Sequence, residues 1–152
     1  MVKRLHPLSA IAAMATIAGF WLSTVSVELF GATEDIVAVK TTIRALLPAL
    51  ILTLAATGAS GMALGRRRVG ALVARKRRRM PVIAANGLII LVPAALYLAW
   101  KADRGALDAT FYAVQTLELA AGAVNLALLG ASARDGLRMT GRLSRSRPAP
   151  RA

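Results

Sequence analysis

The sequence predicts an all-α, integral membrane bundle of four transmembrane helices with both termini in the cytoplasm. Three observations predict it. Four apolar segments, residues 7–30, 45–64, 81–100 and 111–131, each approach the roughly 20 residues a helix needs to cross a hydrocarbon core about 30 Å thick. The 20 basic residues fall unevenly on the two ends of those segments. The composition, 57% hydrophobic with mean hydropathy +0.58, is more apolar than a soluble domain sustains.

The charges set the expected orientation. Lys3 and Arg4 precede the first span. Arg66, Arg67, Arg68, Arg75, Lys76, Arg77, Arg78 and Arg79 fill the link between the second and third spans without a single acid. Arg134, Arg138, Arg142, Arg145, Arg147 and Arg151 follow the fourth, against Asp135 alone. The other two links are balanced: Glu34 and Asp35 against Lys40 and Arg44, then Asp103 and Asp108 against Lys101 and Arg104. Sixteen basic residues therefore lie on one side and four on the other, and the rich side is expected to be cytoplasmic. The net charge of +13 is explained by this orientation, so nucleic acid is not an expected partner. An anionic lipid surface on the cytoplasmic side is.

The first span carries Phe20 and Trp21 and ends in Ser23, Thr24, Ser26 and Glu28. Lys3 and Arg4 could open a secretory signal, but the apolar stretch is long, and Ser23 to Glu28 make a poor cleavage site. The span therefore reads as a retained helix. The second span passes Pro48 and finishes in a small-residue face of Thr53, Thr57, Gly61 and Gly65, four residues apart and so on one side of a helix. Gly61 and Gly65 let a neighbouring helix approach closely, within the bundle or in a homo- or hetero-oligomer. The basic link has an apolar centre and is expected to lie among lipid headgroups. The third span rises through Asn86, Pro93 and Tyr97 to Trp100, the last two at the interface. Pro48 and Pro93 each remove a helical hydrogen bond. The fourth span runs to a stop near Gly136. Residues 1–139 thus form the membrane domain, and 140–152 a basic tail with nothing to bury, expected to be disordered.

Chemistry is confined to buried polar residues. Gln115, Glu118, Gly122, Asn125 and Leu129 follow spacings of three and four, a single helical face. Glu118 lies about 10 Å below the start of its span, too deep for a carboxylate to go unexplained. Depth predicts two polar layers. The outer one unites Glu118 and Gln115 with Arg44, Tyr97 or Glu28. The inner one unites Asn86 and Asn125 with Thr57. Such bonds would join helices at about 0.6–2 kcal/mol each, or Glu118 would titrate or bind a cation in a small polar cavity.

No cysteine is present, and His6 is the one histidine. Thiol chemistry, disulfides and thiolate metal sites are excluded, and neither a metal nor another cofactor is expected. No paired-Asp, Gly-x-Ser-x-Gly or His-Glu-x-x-His motif occurs. Gly58-Ala59-Ser60-Gly61 lacks a partner histidine at its depth and reads as packing, so the chain is not expected to be an enzyme.

Several stretches resemble small, uncharacterised bacterial membrane proteins with four spans. They include His6-Pro7-Leu8, Phe20-Trp21-Leu22-Ser23-Thr24, Glu28-Leu29-Phe30-Gly31, Arg79-Met80-Pro81, Phe111-Tyr112-Ala113-Val114-Gln115 and Arg134-Asp135-Gly136-Leu137. The resemblance implies a bacterial inner membrane and brings no activity. A weaker likeness to small multidrug-resistance transporters rests on four spans and an acid in the first. It differs in the place of Glu28 near the membrane edge and transfers no binding residue. Two functions are expected: a non-enzymatic accessory or scaffold subunit of a membrane complex, or a small proton- or cation-coupled carrier using Glu118.

Overall fold

Two short links and one basic link join four long helices. The computed structural model describes residues 2–65 and 70–139. The expected tail, 140–152, and Arg66, Arg67 and Arg68 lie outside the described residues. Helix α1 is Val2–Phe30, α2 is Thr33–Gly65, α3 is Ala71–Ala102 and α4 is Ala109–Met139. All four are long and apolar enough to cross a membrane. The two ends of the bundle are called here the hairpin end, with links 31–32 and 103–108, and the basic end.

The helices extend past the expected spans, and the links shrink accordingly. Residues 33–44, expected in a loop, are helical. Gly31 permits the reversal: a Cβ there would lie 2.8 Å from the Val27 carbonyl oxygen. The Asp35 carboxylate accepts the Ala32 N–H at 2.8 Å, and Glu34 and Asp35 occupy the first turn, where negative charge suits the helix dipole. The basic segment from Ala71 to Met80 is likewise helical rather than a loop. Long Arg and Lys side chains are good helix formers, and Gly70, at φ 144°, separates it from α2. At the third link Gly105 adopts φ 66°, and Asp108 caps α4 by accepting the Phe111 N–H at 3.0 Å.

Each helix packs on the next around a ring, and α4 closes it on α1. Helix α2 meets α3 along Val92–Ala102, whereas α4 follows α3 throughout its length. Two apolar layers form the core. Ala13, Ile17, Leu47 and Leu50 build one, with Leu126 and Leu129 against it. Ile36, Leu98, Ala102 and Phe111 build the other, nearer the hairpin end. Leu22, Leu52, Ile89, Leu117 and Val124 are among the large apolar side chains left on the outside.

Residues Asn86–Leu91 of α3 form a π-helical turn, in which Val92 N–H reaches the Gly87 carbonyl. Pro93 follows directly. Its ring crowds the carbonyl four residues back and offers no N–H, and a wider turn accommodates both.

Glycine sets how closely α1 approaches α4. Trp21 donates its indole N–H to the Leu119 carbonyl at 2.9 Å, and its Cδ1 would lie 2.9 Å from a Cβ on Gly122. Gly122→Ala should therefore lower stability by about 1–3 kcal/mol through overpacking, measured as thermal unfolding in detergent. Gly19→Ala, where a Cβ meets nothing within 4 Å, should hold or raise it.

Candidate functional site

The buried face of α2 runs Ile36, Lys40, Ile43, Leu47, Leu50, at spacings of four and three. A lysine thus occupies a core position, and its side chain is 1% exposed. Its ammonium donates to Glu118 Oε2 at 2.6 Å, and Glu118 is 14% exposed. The Gln115 amide lies 3.5 Å from the same oxygen. Because α2 and α4 are not neighbours in the ring, the pair bridges the diagonal of the bundle. Cα–Cβ bonds tilt toward helix N-termini, which for both helices is the hairpin end, so the two side chains lean the same way. The layer of Ile36, Leu98, Ala102 and Phe111 lies about one turn closer to that end and covers them.

Glu28 of α1 lies within electrostatic reach of both Lys40 and Glu118. Glu28 Oε1 and Gln115 Oε1 are buried and have no hydrogen-bond partner among the described residues. The site therefore joins one carboxylate to one ammonium, with the Gln115 amide beside the carboxylate. Among the described residues no three His, Asp or Glu side chains gather as metal ligands.

One turn of α4 receives a donor from each other helix. Lys40 of α2 reaches Glu118, Trp21 of α1 reaches the Leu119 carbonyl, and the Asn86 amide of α3 reaches the Ala121 carbonyl at 2.9 Å. Asn86 is also the first residue of the π turn.

Two expected pairings are corrected. Arg44 pairs with Asp103 at the hairpin end, where Thr41 also donates to that carboxylate; it does not meet Glu118, because α2 already turns Lys40 inward one turn earlier. Tyr97 stacks on Trp100 with centroids 5.9 Å apart, and the Lys101 ammonium lies 5.9 Å from its ring. The inner layer does not assemble either. Asn86 bonds to backbone. Asn125 Oδ1 is buried without a partner among the described residues, and the Thr57 hydroxyl donates to Thr53 O of its own helix at 2.8 Å.

Sequence reasoning missed Lys40 and His6. Lys40 belongs to the buried face of α2 rather than to a loop, and its place at helical spacing between Ile36 and Ile43 is the signal in the sequence. His6 donates from Nδ1 to the Thr57 carbonyl at 3.2 Å, with Ser60 Oγ at 3.0 Å. Its ring fills the space over Gly61, so that glycine admits an imidazole rather than a second backbone. At the basic end Arg79 pairs with Asp135 at 2.7 Å, while Arg75, Arg77 and Arg78 are exposed and Lys76 is half-buried.

Comparison with protein-family models, with curated proteins and with solved structures returns no match.

Removing one member of the pair should cost far more than a neutral interhelical bond. Glu118→Gln or Lys40→Met leaves a buried charge alone, at about 3–5 kcal/mol. The double variant Lys40→Met/Glu118→Gln should recover most of that loss. Thermal unfolding of the parent, the two single variants and the double in one detergent gives the coupling, and additive losses would dismiss the pair.

The hairpin end responds to acid. The Arg44 hydrogen bond holds the Asp103 carboxyl below the usual carboxylate range, and the Lys101 and Phe111 N–H donors do so for Asp108. Both folded values lie below the unfolded one, about 3.9. Their stabilisation is complete above that value and is lost as pH falls through the lower folded values. Amide exchange around 103–112 should accelerate in that acid window, and Asp108→Asn should flatten the response.

Proposed function

We propose that the chain is a multi-pass protein of a bacterial inner membrane, with both termini cytoplasmic. In this reading it catalyses no reaction and serves as an accessory or scaffold subunit of a membrane complex. The division of basic residues, sixteen to four, supports the orientation. The observation that carries the role is that the interior charge is closed on itself. Lys40 is 1% exposed against Glu118. Two open grooves, one beside Pro48 and Leu96 and one beside Arg79 and Arg134, are not lined by either residue. Leu22, Leu52, Ile89, Leu117 and Val124 face outward along the helices, an apolar surface suited to lipid and to the helices of a partner.

A second reading has its own observation. Glu28 Oε1 and Gln115 Oε1 are buried without a hydrogen-bond partner among the described residues, and the Gln115 amide lies against Glu118. That arrangement favours a proton- or cation-coupled carrier.

A reporter active only in the cytoplasm should work when fused after Arg79 or Ala152 and be silent after Glu34 or Asp108. In native membranes the chain should migrate in an assembly well above its own 15.9 kDa. Vesicles holding the purified chain and a pH-sensitive dye should show no proton flux. A flux that folded Glu118→Gln protein lacks would replace the accessory role with the carrier.

A further inference from the structure

We infer that the groove between α3 and α4 at the basic end binds one anionic phospholipid. Its phosphate is held by Arg134 and Arg138, and an acyl chain lies over Ala127, Gly130 and Ala131. The inference rests on the membrane reading above and not on the accessory role.

The groove encloses about 400 Å³ and opens outward. Its floor is made of small residues, and a Cβ on Gly130 would meet nothing within 4 Å. Its rim is guanidinium. Arg79 is held by Asp135, itself only 8% exposed, so that charge is already matched. Arg134 and Arg138 are exposed and make no ion pair among the described residues. They sit four apart on α4, one above the other, where like charges repel. An anion between them removes that repulsion, and a guanidinium fork matches phosphate oxygens.

Depth selects a lipid over a soluble phosphate. Counting the roughly 20 residues of a hydrocarbon crossing from Ala109 brings α4 to Leu128 and Leu129. Counting back from Ala102 brings α3 to Ile83. Ala127, Gly130 and Ala131 therefore lie at the edge of the hydrocarbon, and Arg79, Arg134 and Arg138 at headgroup level. A molecule with both a phosphate and a hydrocarbon chain satisfies both halves of the groove, which a soluble phosphate does not.

The test uses the full chain reconstituted in vesicles of equal parts phosphatidylglycerol and phosphatidylcholine. Lipid retained after transfer to detergent is read by native mass spectrometry. One phosphatidylglycerol should be retained. Arg134→Gln/Arg138→Gln should weaken retention roughly thirtyfold, and Gly130→Leu, which fills the floor, should also weaken it. Arg75→Gln/Arg78→Gln, which removes the same charge outside the groove, should not. Circular dichroism confirms that each variant is folded. Equal retention of phosphatidylcholine, equal losses in the two double variants, or displacement by added glycerol phosphate would each overturn the site. Release of the chain from membranes by alkaline carbonate would instead overturn the membrane reading itself.

Discussion

A lysine ammonium buried in a bundle of apolar helices must have a counter-charge, and the bundle is arranged around meeting that demand. Lys40 is 1% exposed and reaches Glu118 at 2.6 Å. The axial positions of α2 and α4 are therefore coupled: sliding either helix by one turn, about 5.4 Å, would separate the pair. A pair of this kind adds little net stability compared with apolar residues of similar volume, yet is costly to break. Its effect is on register. The tight reversal at Gly31 contributes, since it starts α2 early enough to set Lys40 beside Glu28 and opposite Glu118.

Helix α4 is the common partner. Within one turn it accepts Lys40 through a side chain and Trp21 and Asn86 through backbone carbonyls. Gly122 removes the Cβ that would keep the Trp21 ring away. The other three helices are therefore fixed to α4 by directional bonds rather than by apolar contact alone. Apolar contact discriminates poorly between helix partners when lipid is equally apolar. The π turn of α3 begins at Asn86, so the backbone widens where that helix bonds to α4.

The two ends differ in kind. At the hairpin end, Arg44–Asp103 and Lys101–Asp108 close short links between helices, and the charges cancel locally. At the basic end only Asp135 offers an acid, and Arg79 takes it. Arg75, Arg77, Arg78, Arg134 and Arg138 are exposed there and make no ion pair among the described residues. This connects the uneven division of basic residues to the lipid site inferred between α3 and α4.

Sequence by itself determined the four helices, because apolar length and helical periodicity are local properties. It also determined which face of α4 points inward, since Gln115, Glu118, Gly122 and Asn125 repeat at helical spacing. What it could not supply was the partner of Glu118. Depth alone favours Arg44 and leaves Lys40 in a loop, because the length of the first link depends on whether Gly31 and Ala32 alone can reverse the chain. That is a question of backbone clearance at Val27. The same holds for Asn86 and Asn125, equal in depth but bonded differently: a side chain chooses among carbonyls and amides only after neighbouring helices have rotated into contact. Tertiary structure alone decided that Lys40 crosses the bundle, that His6 covers Gly61 and that Trp21 covers Gly122. Each depends on distances between residues far apart in the chain, which no local pattern encodes.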